Sequence, residues 1–356
     1  MKIMTVVGTR PELIRLSCII PKLDKYCDHV FVHTGQNYDP NLKDVFFEGL
    51  KIRQPDYSEE CAGNTQFESI GKILKTTEDI ILKEDPDKFL ILGDTNSCLS
   101  AIVAKRMGVK VYHMEAGNRC YNDKVPEEVN RRIIDHSSDV LMPYTEGSRR
   151  NLMLEGFPQK RVFVTGNPIW EVIKNHMNIN TTDILNTLNV KYDRYFLVTC
   201  HRAENMRFKF LSRFIRNLQE LREIYNMPVI ISMHPRTRIM LQDCGIILGG
   251  LRVLEPMCLN DFLHLEQNAF CVISDSGTVQ EECCLFKTPT VTIRETTERH
   301  ETIECGSNIL CGCYNKDDLI KSVEIATGMR DGWNIPQDYL MPTSDIVTKI
   351  ILGDYP

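Results

Sequence analysis

The feature that most constrains the fold of this chain is a regular alternation of short apolar runs with longer helical segments. The runs have the length and composition of buried β-strands, and in the first half they cover residues 3–7, 29–33, 89–92, 109–113, 140–144 and 162–165. Segments with helical periodicity separate them, at residues 13–23, 67–82 and 129–136. This alternation predicts βαβ units, and therefore a parallel sheet with helices on both faces.

A second series of the same kind begins after Gly166, Asn167 and Pro168. Its apolar runs lie at residues 195–199, 229–233, 253–254, 270–274 and 290–293, and its helical segments at 209–225, 260–266, 279–286 and 316–326. The length of 356 residues also suits two domains better than one core. We therefore predict an α/β protein with two Rossmann-like domains, residues 1–167 and 168–342. We expect the C-terminal segment 343–356, with a helix at 344–352, to pack back on the first domain.

Charge and hydropathy exclude several classes of protein. A net charge of −6 disfavours a nucleic-acid partner, which requires a basic face. No apolar run reaches the roughly 18 residues that a membrane span needs. The apolar N-terminal stretch leads directly into a glycine turn, as a first strand does and a signal peptide does not. The chain is therefore expected to be cytoplasmic, without a nucleic-acid or membrane partner.

The chain contains 14 cysteines, which is a high number for its length. A disulfide framework is typical of small exported proteins, and this chain is large and is expected to lack an export signal. Paired ligands with the spacing of a zinc site are also missing. We therefore expect reduced thiols, no metal site and no cofactor.

Carboxylates follow successive elements of the first half at positions where ligands of a parallel sheet bind. Asp94 follows the strand predicted at 89–92, and Glu115 follows the next strand. Glu127 begins a helix and shares one of its faces with Arg131, four residues later. Each residue alone could be a helix cap or a surface pair. Their recurrence in one domain favours a catalytic site.

The turn after the first strand is a candidate anion site. Residues 8–12 have the sequence GTRPE, in which a glycine permits a tight turn and the proline suits the first position of a helix. Backbone N–H groups at such a turn favour an anion, and Arg10 adds a bidentate donor. The alternative is a capped helix start with a solvated Arg10.

The second half contains the pattern of a phosphate-binding turn. Ser276, Gly277 and Thr278 lie where a buried strand ends and a helix begins, which presents hydroxyl and N–H groups to a phosphate. Glu282 is placed about one helical turn farther on, where it could reach a ribose diol, and Arg299 adds charge beside the same turn. A simple N-capped helix needs only Ser276 and leaves the other polar residues unexplained.

Two histidines also end strands of the second half. His201, followed by Arg202, ends the run at 195–199, and His234 ends the next run. A lone histidine is most often a packing residue, but the polar neighbours of His201 favour a chemical role. Because two facing sheets place their ligand crevice between them, we expect the active site in the cleft between the domains.

Together these motifs resemble the non-hydrolysing UDP-N-acetylglucosamine 2-epimerase family. The matching segments run nearly end to end and comprise GTRPE at 8–12, GDT at 93–95, HMEAG at 113–117, PEEVNR at 126–131, HRAEN at 201–205, SDSGTVQEE at 274–282 and TTER at 296–299. The resemblance implies two Rossmann-like domains in a glycosyltransferase-B arrangement, with UDP held mainly by the second domain. It also implies a homodimer.

The resemblance assigns roles by position. Asp94, Glu115 and Glu127 correspond to the catalytic carboxylates of the family. Arg10, Arg131 and His201 correspond to its phosphate-neutralising and catalytic basic residues. Contacts to the substrate and to UDP are implied for Arg15, Arg202, His234, Ser276, Gly277, Thr278, Glu282 and Arg299. In that family a base removes the C2 proton while UDP leaves C1, and the 2-acetamidoglucal is then protonated on its opposite face as UDP adds back.

Several positions depart from the family pattern. Arg15 replaces a lysine, Thr278 replaces a second glycine, and the segment GQNYD at 35–39 stands where many bacterial members carry an allosteric Gln-His-Arg motif. Arg15, NRC at 118–120 and HPRTR at 234–238 together resemble the branch that acts on UDP-2-acetamido-2,6-dideoxy-L-hexoses. We therefore favour formation of a sugar such as UDP-N-acetyl-L-fucosamine or UDP-N-acetyl-L-quinovosamine over the UDP-GlcNAc/UDP-ManNAc pair.

Three other functions fit parts of this pattern. A glycosyltransferase of the same architecture shares the fold and the UDP-binding turn but needs one base and an acceptor groove. A hydrolysing epimerase admits water to the intermediate and releases free sugar. A UDP-sugar sensor needs no catalytic group, and so leaves Asp94, Glu115 and Glu127 unexplained.

Overall fold

The computed structural model describes residues 1–35, 47, 49–177, 182–202, 205–233, 235–255, 257–312, 317–330 and 332–353, with Pro235 and Arg236 described by their backbone only. Contacts between Cα atoms divide the chain into two compact units. Unit 1 consists of Met1–Val172 and Gln337–Pro356, and unit 2 of Ile173–Pro336.

Unit 1 is built on a six-stranded parallel sheet. Its strands are β1 (Lys2–Val7), β2 (Asp28–His33), β3 (Tyr57–Ser58), β4 (Lys88–Leu92), β5 (Lys110–Met114) and β6 (Val140–Met142). The order across the sheet is β3-β2-β1-β4-β5-β6, and every pairing is parallel. The order reverses between β1 and β4, so the crevice for a ligand is expected beyond the carboxyl ends of these two strands.

The described helices of unit 1 connect these strands and cover the sheet. They are α1 (Arg10–Leu16), α2 (Ile20–Tyr26), α3 (Gln66–Glu84), α4 (Ala101–Arg106), α5 (Pro126–His136) and α6 (Glu146–Leu154). The helix α7 (Ile169–Met177) spans the boundary between the units.

Unit 2 repeats the same architecture. Its strands are β7 (Phe196–Thr199), β8 (Val229–Ser232), β9 (Arg252–Leu254), β10 (Cys271–Ser274), β11 (Thr290–Thr292) and β12 (Asn308–Leu310). Its helices are α8 (Ile184–Thr187), α9 (Phe208–Tyr225), α10 (Pro235–Asp243), α11 (Leu259–Asn268), α12 (Gly277–Phe286), α13 (His300–Glu304) and α14 (Asp318–Gly328). The parallel sheet has the order β12-β11-β10-β7-β8-β9. Its reversal lies between β10 and β7.

The central strands are apolar along their whole length because a parallel sheet is covered on both faces. All five residues of β4 are buried, as are the four residues of β7 and of β10.

Hydrogen bonds and backbone conformation at the helix ends define where the helices begin and stop. The Thr65 hydroxyl accepts a hydrogen bond from the Glu68 N–H at the start of α3, and α3 ends where Asp85 takes a left-handed conformation with φ 45°.

The final helix α15 (Thr343–Leu352) belongs to unit 1. The Lys88 ammonium donates to the carbonyl oxygens of Ile351 and Gly353, at 2.7 Å each. The Ser344 backbone N–H donates to the Glu171 carboxylate at 2.7 Å. These hydrogen bonds attach the end of the described chain to β4 and α7.

The structure corrects two predicted elements. The single helix predicted at 13–23 is wrong, because Pro21 lacks an N–H and lies in the first turn of a new helix, α2. The strand predicted at 162–165 is also wrong. Only Val162 forms a bridge, to Leu141, and no ladder follows it in the described structure. The short edge strands β3 and β12 were missed, since two or three residues carry no periodicity.

The other predicted strands and helices are confirmed, with ends shifted by a few residues. The helix predicted at 316–326 is found as α14, although residue 316 lies outside the described residues. Within the described parts of the chain, every helix is too short or too polar to cross a membrane.

Candidate active site

The turn after β1 binds the chain's own carboxylate. One Glu12 oxygen accepts hydrogen bonds from the backbone N–H groups of Gly8 and Thr9, at 2.9 and 2.7 Å, and from the Thr9 hydroxyl at 2.8 Å. This is a capping box at the start of α1. The Gly8 and Thr9 N–H groups therefore bind Glu12 and not an external anion, as in a capped helix start, while the role of Arg10 stays a prediction. Arg10 lies at the first position of α1 and is partly exposed.

Glu12 also links this turn to the turn after β4. Its other oxygen accepts from the Thr95 hydroxyl at 3.0 Å and from the Cys98 thiol at 3.3 Å. Burial raises the pKa of the Glu12 carboxyl above its ordinary value, against the bonds donated by Gly8, Thr9, Cys98 and Thr95. Glu12 therefore connects the ends of β1 and β4, which are the two strands at the reversal point of the sheet.

Glu115 lies directly after β5 in a conformation that few residues other than glycine adopt. Its φ is +66°, which is the left-handed region, and its side chain is 7% exposed. Arg15 forms an ion pair with one carboxylate oxygen, and the Asn118 amide donates to the other at 3.2 Å. Left-handed non-glycine residues are concentrated at functional sites, because the surrounding structure must compensate for their strain.

The Glu115 carboxylate reaches the turn that carries Asp94. One of its oxygens lies 3.8 Å from the point where a Cβ atom would stand at Gly93. The two carboxylate-bearing turns, after β4 and after β5, are therefore adjacent. Sequence reasoning predicted both residues, and the fold of unit 1 brings them together.

Asp94 is held by Arg131. The Arg131 guanidinium donates to the Asp94 carboxylate at 2.8 Å, while the Asn130 amide donates to the Asp94 carbonyl at 2.9 Å. Arg131 is 2% exposed and Asp94 is 23% exposed at the side chain, so the carboxylate stays accessible while its partner is buried. α5 is the element that positions this pair.

The second partner of Arg131 differs from the expectation. Glu128, not Glu127, pairs with Arg131, at 2.6 Å, and it is fully buried. The backbone N–H groups of Cys120 and Tyr121 donate to Glu128 at 2.9 and 3.0 Å. Glu127 is half-buried, and no described residue forms an ion pair with it. The spacing of four between Glu127 and Arg131 therefore does not produce the contact, because the guanidinium turns toward the buried face of α5.

Asp135 is a central residue that sequence reasoning missed. It is fully buried and accepts from His113 Nδ1 at 2.8 Å, from the Arg119 guanidinium at 2.8 Å and from the Gly117 N–H at 3.1 Å. His113 Nε2 lies 2.9 Å from the Gly93 carbonyl oxygen. Asp135 therefore connects α5 to the turn after β5 and, through His113, to the turn after β4. The available signal was a helix with charged residues on its buried face.

In unit 2, Asp275 after β10 organises the turn after β7. Its carboxylate accepts from the backbone N–H groups of His201 and Arg202, at 2.9 Å each, and from the Asn205 amide at 3.0 Å. Its other oxygen lies 3.1 Å from His201 Nδ1. Such a pair orients an imidazole so that Nε2 can exchange a proton with a ligand.

Asp275 is ionised despite complete burial. Desolvation acts to raise the pKa of this carboxyl, but the charge and hydrogen bond of His201, with the bonds from Arg202 and Asn205, hold the pKa well below its usual range. The sequence motif contained Asp275, but only the strand order across the sheet shows that it lies beside His201.

The turn that the sequence predicts to bind phosphate lies at the start of α12. Ser276 is the N-cap, and the first helical residues are Gly277 and Thr278. The Gln280 amide donates to the Ser276 carbonyl at 3.2 Å, and the Gln280 oxygen accepts from the Thr297 hydroxyl at 2.8 Å. The turn is thereby fixed from both sides. A ten-residue helix that begins here directs its N-terminal N–H groups beyond the end of β10.

Gly277 is required by packing in addition to any role in binding. A Cβ atom at this position would lie 2.8 Å from the Glu298 carboxylate. Glu298 pairs with Arg294 at 2.8 Å and lies 3.8 Å from the Arg202 guanidinium. Arg299 pairs with Glu281 at 2.5 Å. The cations predicted near this turn are therefore part of a buried network of ion pairs.

Two parts of the prediction fall outside the described residues. These are His234 and positions 36–39 of the GQNYD segment. Within the described chain, His, Cys, Asp and Glu side chains do not form a group of three that could hold a metal ion.

Comparison with known proteins identifies relatives over the whole chain. The sequence model of the family described as UDP-N-acetylglucosamine 2-epimerase matches residues 22–344. A UDP-N-acetylglucosamine 2-epimerase of Methanocaldococcus jannaschii is 40% identical, with 100% of both chains covered. A UDP-2,3-diacetamido-2,3-dideoxy-D-glucuronate 2-epimerase of Pseudomonas aeruginosa is 35% identical over 92% of this chain and 93% of the relative.

Solved structures show the same fold. The Methanocaldococcus jannaschii UDP-GlcNAc 2-epimerase, in complex with UDP-GlcNAc and UDP, superposes with a TM-score of 0.92 at 38% identity, covering 99% of this chain and 100% of that one. The glycosyltransferase WaaG, at 11% identity and a TM-score of 0.61 over 99% and 100% of the two chains, shares the fold alone. The predicted α/β class with a glycosyltransferase-B-like fold is confirmed.

Relatives of one class match both the sequence and the fold across nearly the full length. The chain belongs to the UDP-N-acetylglucosamine 2-epimerase family of isomerases.

Proposed function

We propose that this protein catalyses non-hydrolysing epimerisation at C2 of a UDP-N-acetylhexosamine. The observation that carries the proposal is the pair Asp94 and Glu115, which lie on adjacent turns of unit 1, each held by a buried arginine. Inversion at a carbon centre requires a proton to leave one face and return on the other. Two fixed carboxylates suit that exchange.

In the proposed reaction a carboxylate removes the weakly acidic C2 proton while the C1–oxygen bond to UDP breaks. The electron pair of the C–H bond forms the C1–C2 double bond, so the products are a 2-acetamidoglucal and UDP. A second group, acting as an acid, then protonates C2 on the opposite face, and UDP adds back to C1. We assign proton transfer to Asp94, Glu115 and Glu127, with Arg131 as the cation that holds Asp94.

Stabilisation of the departing diphosphate is the second requirement, because UDP leaves as an anion. We assign it to the N-terminus of α12 at Ser276, Gly277 and Thr278, together with Arg10 and His201. The Asp275 pair supports this assignment for His201, since it holds the imidazole in one orientation. The proposed nucleotide and substrate contacts further include Arg15, Arg202, His234, Glu282 and Arg299.

The identity of the sugar is a separate part of the proposal. UDP-GlcNAc is the first candidate, since relatives of this chain carry that name. The 6-deoxy-L-hexose branch stays a prediction, and two of its supports have structural explanations. Arg119 is fully buried between Asp135 and Glu155, and Arg238 pairs with Glu255 at 2.6 Å. Arg15 and Asn118 remain as supports for the branch, and both contact Glu115, a proposed catalytic residue.

Deuterium incorporation tests the reaction. The protein is incubated in D2O with UDP-GlcNAc and, in parallel, with UDP-2-acetamido-2,6-dideoxy-L-talose and its L-rhamno isomer, and C2 is followed by NMR. We expect deuterium at C2 of a sugar that is still attached to UDP, with both C2 epimers present. The substrate that exchanges fastest identifies the branch.

Other products would indicate the alternative functions. Free sugar that accumulates with UDP indicates a hydrolysing epimerase, and sugar transferred to an acceptor without label indicates a glycosyltransferase. Binding without exchange of any tested substrate indicates a sensor. Each of these outcomes contradicts the proposal.

Replacement of Asp275 should separate turnover from folding. Asp275→Asn removes the charge that pairs with His201 and one of the oxygens that accepts backbone N–H bonds. We expect turnover to fall by about 100-fold or more, in line with the loss of a positioned acid–base group. Melting temperature should fall only moderately, because a neutral amide still accepts part of the network.

The matched control for this variant is Asp243→Asn, an exposed carboxylate on α10. It should leave turnover within about twofold of the wild type, as surface substitutions usually do. Turnover of Asp275→Asn equal to that of the control would show that the carboxylate does not act through His201.

A further inference from the structure

Glu266 in α11 is a buried carboxyl that the proposed mechanism does not use. Glu266 is 0% exposed. No described N–H or O–H group donates to either of its oxygens, so it lacks the partners that a buried carboxylate requires. The sequence gives no reason to expect this residue at a position that faces the interior.

The carboxylate that acts on Glu266 is Glu282 on α12, which is 4% exposed, and the Tyr195 hydroxyl and the Cys283 thiol also lie within electrostatic range of Glu266. The two helices enclose the pair with apolar side chains, since Leu265, Val279 and Cys283 belong to one core cluster. Two ionised carboxylates in such surroundings would repel each other without solvent to screen them. One proton shared between them removes the repulsion and supplies the missing hydrogen-bond donor.

We infer that Glu266 is a positioning residue that stays a carboxylic acid and donates a hydrogen bond to Glu282, which fixes the Glu282 carboxylate for the ribose hydroxyls of UDP. The inference rests on the proposed function for the assignment of Glu282 to the ribose. The inference adds Glu266 to the proposed UDP site. Glu266 lies on α11, which carries none of the sequence motifs described above.

The ionisation of the pair agrees with this role. Burial is the largest effect, and with the charge and hydrogen bond of Glu282 it raises the pKa of the Glu266 carboxyl well above its ordinary value. A pair in which Glu266 is protonated carries one negative charge. That charge lies on Glu282, next to the α12 turn.

Two substitutions at Glu266 distinguish donation from packing. Glu266→Gln keeps a donor of the same length, since its amide N–H can bond to the Glu282 carboxylate. Glu266→Met keeps the length and flexibility of the side chain but removes the donor. Glu223→Met, on the exposed surface of α9, is the matched control for a glutamate-to-methionine change in unit 2.

The first measurement tests protonation directly. Infrared spectra at pH 7 should show a carboxylic-acid carbonyl band in the wild type that is lost in both Glu266→Gln and Glu266→Met. The difference between wild type and variant is needed because Glu12 also has a raised pKa and contributes a similar band. Absence of the band from the difference spectrum overturns the inference.

The second measurement compares calorimetric affinities for UDP and 2′,3′-dideoxy-UDP. The ratio of the two affinities reports on the ribose hydroxyls, and the folded fraction cancels because both ligands are titrated into one preparation. We expect the wild type, Glu266→Gln and Glu223→Met to prefer UDP by about tenfold or more, as for hydrogen bonds to a charged group. In Glu266→Met the preference should fall to about threefold or less.

The outcomes separate the inference from the proposed function. An unchanged preference in Glu266→Met overturns the positioning role, and a wild type without preference removes the Glu282–ribose contact on which the inference depends. If the infrared band and the preference are found but no UDP-sugar exchanges its C2 proton, the nucleotide site stands and the epimerase proposal fails.

Discussion

Glu115→Gln and Asp94→Asn should each lower turnover of the UDP-sugar by about 1,000-fold, within the range that general acid–base groups contribute. Neither amide can take up a proton from C2 or deliver one to it. Affinity for UDP should stay close to that of the wild type, because the proposed nucleotide contacts lie mainly on unit 2 and both substitutions lie on unit 1. Steady-state kinetics and calorimetry with UDP measure the two quantities.

The substitutions conserve shape so that folding is preserved. In Glu115→Gln the new amide oxygen would still accept from Arg15, and in Asp94→Asn it would still accept from Arg131. The control is Glu146→Gln, at a side chain that is 58% exposed and forms a surface pair with Arg149. Its turnover should not change. An equal loss of UDP affinity and turnover in the two test variants would assign Asp94 and Glu115 to structure or to nucleotide binding.

Deuterium exchange separates the roles of the two carboxylates. A variant that lacks the base for one epimer should lose exchange from that epimer most strongly, while the opposite epimer retains an intact base for its own proton. The two variants should therefore show opposite preferences when each epimer is supplied alone in D2O. Identical exchange patterns would show that Asp94 and Glu115 do not act as bases for opposite epimers.

Asp135→Asn should destabilise unit 1 by about 3 kcal/mol, the lower end of the loss expected when one partner of a buried ion pair is removed. Asp135 is fully buried and neutralises Arg119, which is itself fully buried. The lower end applies because Arg119 also pairs with Glu155 at 2.6 Å, and that carboxylate is 25% exposed.

The loss of stability in Asp135→Asn should depend on pH in a defined direction. Burial acts to raise the pKa of Asp135, but the hydrogen bond and charge of His113, together with Arg119, outweigh it and lower the pKa below its ordinary value. The folded state therefore binds this proton less readily than the unfolded state. The stabilisation is present above the ordinary pKa of an aspartate and is lost as the pH falls through the folded value. The difference between wild type and Asp135→Asn should shrink accordingly in acid.

Tryptophan fluorescence allows unit 1 to be followed by itself. The chain has two tryptophans, Trp170 in unit 1 and Trp333 in unit 2. In a Trp333→Phe background, urea unfolding reports on Trp170 alone. Asp123→Asn is the control, because this carboxylate is 69% exposed and pairs with Arg132, so its loss should cost at most about 1 kcal/mol. Equal stability of Asp135→Asn and Asp123→Asn would contradict the central role of Asp135.

Much of the architecture could be predicted from local patterns. Apolar runs and helical periodicity indicate β4, β7 and β10 because a parallel strand buried on both faces is apolar throughout. The errors occurred where the local pattern was weak or ambiguous. Pro21 begins a new helix inside an apparently continuous pattern, and the edge strands are too short to show any period.

The candidate site was predictable as a set of positions but not as a set of partners. Polar residues after strands indicated Asp94, Glu115 and His201 because parallel strands direct their carboxyl ends to one edge of a sheet. The sequence placed Glu12 at the start of α1. It did not show that the Glu12 carboxylate accepts the Gly8 and Thr9 N–H groups, which were expected to bind an external anion. A turn motif in the sequence indicates which backbone N–H groups can donate a hydrogen bond. It does not indicate which acceptor will lie close enough to receive it.

The sequence by itself determined the α/β class, the repeated βαβ order and the positions of the polar turns, since each of these follows from spacing along a few residues. Only the tertiary structure decided that Arg131 pairs with Asp94 and Glu128, that Asp135 connects two turns, and that Glu266 lies against Glu282. The physical reason is that the strength of an ion pair or hydrogen bond depends on distance and on exclusion of water. Both quantities are set by residues far apart in the chain, which come together only when the strands pair and the helices pack.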